Sequence, residues 1–147
     1  MAMYGATMDF FFYGTLLDSD VRRAVLGRAA ERLALEPARL SGYRRIGGRR
    51  SGVPALVAHS QGAVEGLLAR GIEKSELLRL DRYEGRGYRR IPVPVVTEAG
   101  ARVAALVYLA RKQRTARGAD WSLKAWQRRH KRRWQRAIVR WLAATRG

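Results

Sequence analysis

The segment Phe10-Phe11-Phe12-Tyr13-Gly14-Thr15-Leu16 constrains the fold of this chain more than any other. Asp9 to Tyr13 is short, aromatic and apolar and stops at a Gly-Thr turn, the pattern of a buried strand. Backbone N–H groups that follow a strand and open a helix form a nest that grips an anion such as a carboxylate, but ordinary strand-to-helix turns use the same residues. Taken singly, Tyr13 to Leu16 reads as a turn.

The rest of the chain supplies the other pieces of one α+β domain spanning residues 1–147. A chain of 147 residues buries roughly 70% of its unfolded surface. Hydrophobic residues make up 47% of it, and no polar low-complexity tract argues for disorder. Residues 1–7 read as a loose N-terminal extension. No Lys or Arg precedes the apolar stretch, which Gly14 and Asp18 interrupt, so a signal peptide is not expected. No run approaches the ~18 apolar residues that a bilayer span requires.

Asp18-Ser19 caps a short helix through about Leu26, with Val21, Val25 and Leu26 on one face. Glu31 to Ile46 reads as extended, and Arg49 to Pro54 as a surface loop. Ala55 to His59 and Ala63 to Leu68 are β-type runs joined by Ser60-Gln61-Gly62, a hairpin signal. Glu73 to about Arg82 suits a short helix, and Tyr88 to Thr97 with Arg102 to Ala110 a strand pair. Pro92 and Pro94, two apart, leave one edge of that pair without donors. Trp126, His130, Trp134, Ile138 and Trp141 or Leu142 form one face of an amphipathic helix over 121–144 whose other face is Arg and Lys.

The net charge of +18 is concentrated there: from Arg111 to Gly147 thirteen Lys or Arg stand against Asp120 alone, a net of +12. Such a helix suits contact with nucleic acid or an anionic surface. The tryptophans, however, follow the buried face rather than the basic one, which equally describes a packed terminal helix with solvated cations.

The absence of cysteine excludes disulfides and thiolate ligands or nucleophiles and fits a cytoplasmic setting. There is no phosphate-binding GxxxxGK[ST], no GxGxxG, no HExxH and no EF-hand spacing. His59 and His130 have no partners at ligand spacing and read as surface or packing residues, so no metal and no cofactor is expected. What remains is Glu84, between a helix and a strand and flanked by Gly85 and Gly87. Arg79, Arg82, Arg86, Arg89 and Arg90 surround it in sequence, and by composition alone it reads as their surface partner.

Taken together and in order, these segments resemble the γ-glutamylcyclotransferase-like family, including its avirulence-induced-gene-like branch. The similarity rests on Phe11-Phe12-Tyr13-Gly14-Thr15-Leu16, on Val64-Glu65-Gly66-Leu67-Leu68 and on Leu80 to Arg90, and extends over residues 9 to about 110. The Trp121-Ser122-Leu123 helix start is also similar to the end of many members.

The resemblance implies a small mixed, mainly antiparallel barrel-like sheet with peripheral helices, here with a basic C-terminal helix. It implies an enzyme that cyclises a γ-glutamyl amide or amine to 5-oxoproline, releasing the free amine. Glu84 would be its general acid–base. Gly14, Thr15 and Leu16 would hold the substrate through backbone N–H groups, with Tyr13 and Tyr88 lining the pocket. The competing expectation is a non-enzymatic binding protein on the same scaffold, using the basic helix.

Overall fold

The computed structural model describes residues 6–47, 53–112 and 118–145. Five strands close into a barrel in the order β1-β3-β2-β4-β5. They are β1 (Met8–Phe12), β2 (Ala34–Gly47), β3 (Pro54–Ile72), β4 (Tyr88–Thr97) and β5 (Arg102–Ala110). All neighbours are antiparallel except β1 and β5, which run parallel with Phe10 opposite Leu106. Among the described residues five α-helices lie outside: α1 (Ser19–Leu26), α2 (Ala29–Arg32), α3 (Lys74–Glu84), α4 (Leu123–Arg129) and α5 (Lys131–Thr145). No helix among the described residues is long and apolar enough to cross a membrane.

The run of three phenylalanines follows from the place of β1 between two cores. Successive strand side chains point to opposite faces. Phe11 faces the barrel interior with Leu40, Leu68, Val95 and Val107. Phe10 and Phe12 face the helices, among Val21, Val25, Leu77, Leu80 and Trp126. A strand covered on both sides carries an unbroken apolar run rather than an alternating one.

Three expectations require correction. Ser60-Gln61-Gly62 is not a hairpin turn, because both flanking runs belong to the single strand β3 and pair with β2 from Ala34↔Arg70 to Gly47↔Pro54. The polar stretch is instead an irregularity where the register slips between Ser41↔Ala63 and Tyr43↔Ala58. Gly62 fits there because a Cβ would run into the Tyr43 carbonyl. The extended stretch starting at Glu31 begins at Ala34, since Ala29 to Arg32 is helical.

The terminal helix is two helices, interrupted at His130, whose backbone leaves helical geometry (φ −124°, ψ −22°). The interruption lets Trp126 sink into the core while Trp134 turns toward α3, their rings meeting edge to face at 6.2 Å. The expected loop from Arg49 lies outside the described residues up to residue 52, and Pro54 already belongs to β3. Most of the expected N-terminal extension, residues 1–5, also lies outside them.

Other expectations match. Asp18 caps α1, accepting from the Asp20 and Val21 amides at 2.8 and 3.1 Å. β4 and β5 pair along their length, while β2 meets β4 only at Val96 and Thr97, leaving that edge free at Pro92 and Pro94.

Candidate active site

Helical spacing sets the position of Glu84. Leu77 and Leu80 anchor α3 in the core, and Glu84, three and four residues on from Asp81 and Leu80, continues their inward face as the last residue of the helix. Gly85 ends the helix at φ +86°, a conformation that an L side chain resists, and its N–H closes on the Asp81 carbonyl at 2.9 Å. Glu84 is thereby delivered to a cavity of about 370 Å³ at the end of β1.

Tyr13, Gly14, Thr15, Leu16, Glu84 and Tyr88, the residues singled out in the sequence, all line this cavity. The sequence reading did not identify Tyr83, Tyr108 and Trp134, which complete its aromatic wall, or Val53 and Pro54 at its rim. Tyr83 was legible as the neighbour of Glu84. Nothing local marks Tyr108 or Trp134, because each reaches the site through tertiary packing.

The loop opposite Glu84 is held by its carbonyls. Arg45 donates to Tyr13 O at 2.8 Å and Arg22 to Leu16 O at 2.8 Å. Between them Gly14 O accepts from the Leu17 amide and Thr15 O from the Asp18 amide, at 2.9 and 3.0 Å, which winds Thr15–Leu17 into a 3-10 turn. With every carbonyl from Tyr13 to Leu16 engaged, the loop is rigid. The opening N–H groups of such a turn have no partner within it.

The tyrosines cross-brace the two halves. Tyr13 donates its hydroxyl to Tyr108 O at 2.7 Å, and Tyr108 donates its own to Asp81 Oδ1 at 2.7 Å. Thr15 Oγ1 meets the Tyr83 hydroxyl at 2.8 Å, and Trp134 Nε1 donates to that hydroxyl at 2.8 Å.

Glu84 is the only carboxylate among the described lining residues, which include no lysine, arginine or histidine. Burial pushes its carboxyl up to about 7, and the Asp81 carboxylate adds to the rise. The neighbouring arginines do not reverse this. Arg90 pairs with Asp81 at 3.0 Å, and no ion pair among the described residues reaches Glu84. Burial, then the Glu84 charge, holds the Tyr13 phenol far above its ordinary range, so it stays neutral. Burial likewise drives Tyr83 to about 12, although its bonds to Thr15 and Trp134 pull the other way. Among its described lining residues the cavity therefore presents one group that exchanges a proton near neutrality, set in aromatic walls opposite a rigid loop.

The C-terminal helices close this site rather than standing apart from it. Trp126 is buried, Trp134 lines the cavity, and Trp134 and Trp141 both meet Tyr83 edge-on, at 6.2 and 6.3 Å. The tryptophans thus face inward, leaving Arg128, Arg129, Arg132 and Arg133 exposed on the other side.

A family model described as "Gamma-glutamyl cyclotransferase, AIG2-like" matches residues 10–128. AIG2-like protein A of Arabidopsis thaliana is 30% identical over 125 residues, 84% of this chain and 74% of that protein. A solution structure of an Arabidopsis thaliana protein superposes with a TM-score of 0.69 at 25% identity, over 97% of this chain and 86% of that one. A solved gamma-glutamyl cyclotransferase shares the fold, with a TM-score of 0.63 at 21% identity over 74% of this chain and 69% of that one.

Proposed function

We propose, from the premise that this chain belongs to the gamma-glutamyl cyclotransferase, AIG2-like family, that it cyclises a γ-glutamyl amide or amine to 5-oxoproline and releases the amine. The observation that carries this reading is Glu84, the single carboxyl among the described lining residues, raised to about 7 in a cavity faced by the Tyr13–Leu16 loop. A carboxyl tuned there both accepts and returns a proton near neutral pH.

The substrate binds with its α-ammonium against Glu84 and its γ-carbonyl folded back over the α-nitrogen. Glu84 takes one proton, and the freed nitrogen attacks the γ-carbonyl carbon. The bond from that carbon to the departing nitrogen then breaks. Of the three α-ammonium protons, one stays on the ring nitrogen and two end on the amine, relayed one at a time through Glu84. No water is consumed.

Because both reacting groups belong to one molecule, the entropy of bringing them together is already spent, and the site's main task is to hold the folded, aligned conformer. The Gly14 to Leu16 N–H groups suit the substrate carboxylate or the developing oxyanion, and their rigidity lowers the reorganisation they would need. Tyr13 and Tyr88 act as walls.

The test is release of 5-oxoproline from a panel of γ-glutamyl amino acids, peptides and amines, with Glu84→Gln as the control. The variant should lose about 10²–10⁴-fold in rate while unfolding at or above the wild-type midpoint. Wild-type inactivity across the panel, or an active Glu84→Gln protein, overturns the reading.

A further inference from the structure

We propose that the groove between the end of α3 and the β4–β5 pair is a second ligand site, built for a small oligophosphate. The groove encloses about 910 Å³ and is lined by Arg82, Arg86, Arg89, Arg90 and Arg111, with Asp81 the only carboxylate among its described lining residues. Asp81 is already engaged, by Arg90 at 3.0 Å and by the Tyr108 hydroxyl at 2.7 Å. No carboxylate partner is found among the described residues for Arg82, Arg86, Arg89 or Arg111.

Arg82, Arg86, Arg89 and Arg111 line one concavity without a carboxylate partner among the described residues, and an anion there would relieve the repulsion between like charges. Part of the site is fixed in advance. Arg111 donates its backbone N–H to Gly87 O at 2.8 Å and its Nε to Arg86 O at 3.0 Å, pinning the turn after α3 to the end of β5.

Charge and shape select the ligand class. Guanidinium forks match phosphate oxygens in pairs. One carboxylate or monophosphate would leave most of the four cations uncompensated, whereas two or three linked phosphates match their number within a space of small-molecule size. The groove shares Tyr88 and Tyr108 with the Glu84 cavity, but its other walls are charged where those of the cavity are aromatic.

Equilibrium dialysis of the full chain against tripolyphosphate tests this, with sulfate at equal ionic strength as the comparison. The expected result is saturable binding of one tripolyphosphate per chain, weakened about tenfold or more by Arg86→Ala/Arg89→Ala. The exposed pair Arg128→Ala/Arg129→Ala on α4 removes the same charge and should weaken binding less than about twofold. Binding no tighter than sulfate overturns the site. Equal weakening by both double variants, or several ligands per chain, overturns it in favour of diffuse attraction to a basic surface, including that of a nucleic acid. Binding is read without turnover, so the result is independent of the reaction proposed for Glu84.

Discussion

Trp134 on α5 donates its indole N–H to the hydroxyl of Tyr83, the residue beside Glu84, at 2.8 Å. The same hydroxyl meets Thr15 in the loop opposite Glu84 at 2.8 Å. One phenol thus joins three segments remote in sequence. The basic terminal helix is part of the candidate site's wall.

Trp134→Phe keeps an aromatic ring and removes the donor. Its expected cost is about 1 kcal/mol in denaturant unfolding, the net worth of one hydrogen bond. With Tyr83 less firmly held, KM for the γ-glutamyl substrate should rise several-fold while kcat changes little. Steady-state kinetics on the variant check this, and an unchanged KM would show that the brace does not shape the cavity.

In the proposed reaction Glu84 must be ionised to accept the ammonium proton, so with its carboxyl at about 7 the acid limb of kcat/KM should fall near pH 7. Asp81 contributes to that rise, so Asp81→Asn should move the limb to lower pH. Stability runs the opposite way. A carboxyl raised from 4.5 favours the folded state most below 4.5, and this contribution is lost as pH rises through about 7. Glu84→Gln should flatten that part of the stability profile, which urea titrations at successive pH values measure.

Asp18 ties α1 to the terminal helices. The residue is 3% exposed, and its carboxyl bonds the Val21 amide, Gln127 and Lys131, the last at 2.9 Å. Burial pushes it up, but the bonds from Lys131, Gln127 and Val21 outweigh burial and hold it below the ordinary carboxylate range. The stability it contributes is therefore present above the unfolded-state value and is lost as pH falls through the folded one. Lys131→Met should cost about 1–3 kcal/mol at pH 7 and less once Asp18 is protonated, as acid-range unfolding curves would report.

Gly66 allows β1 to pack closely on β3. A Cβ there would meet the Phe12 carbonyl and, at 2.7 Å, the Phe11 ring. Gly66→Ala should destabilise the barrel by about 1–3 kcal/mol through overpacking. It should also lower activity, since the displaced strand ends in the Tyr13–Leu16 loop. Thermal unfolding and kinetics together check both effects.

Local signals were readable where a residue's role depends on its neighbours along the chain. The cap at Asp18 and the strand pair of β4 and β5 appear in the sequence as capping and turn chemistry, whereas the helix expected to end near Arg82 runs on to Glu84. Ser60-Gln61-Gly62 misled because small polar residues suit a turn in isolation. The fourteen-residue partner β2 keeps them in a strand. The interruption at His130 carries no Gly or Pro to announce it.

By itself the sequence determined the residues facing the cavity from the ends of β1 and α3 and the start of β4, since Tyr13 to Leu16, Glu84 and Tyr88 carry the family resemblance in order and sit at element ends. It also determined the inward stripe of the terminal helices through their helical spacing. Only the tertiary structure decided the charge behaviour of Glu84. Sequence placed it among arginines that would depress its pKa. Folding turned it inward beside Asp81, and loss of water around the carboxyl prevails. The same folding brought Trp134 to Tyr83 and gathered five arginines around a groove. Desolvation and through-space contact depend on what packs against a side chain, and the order of residues along the chain does not specify that.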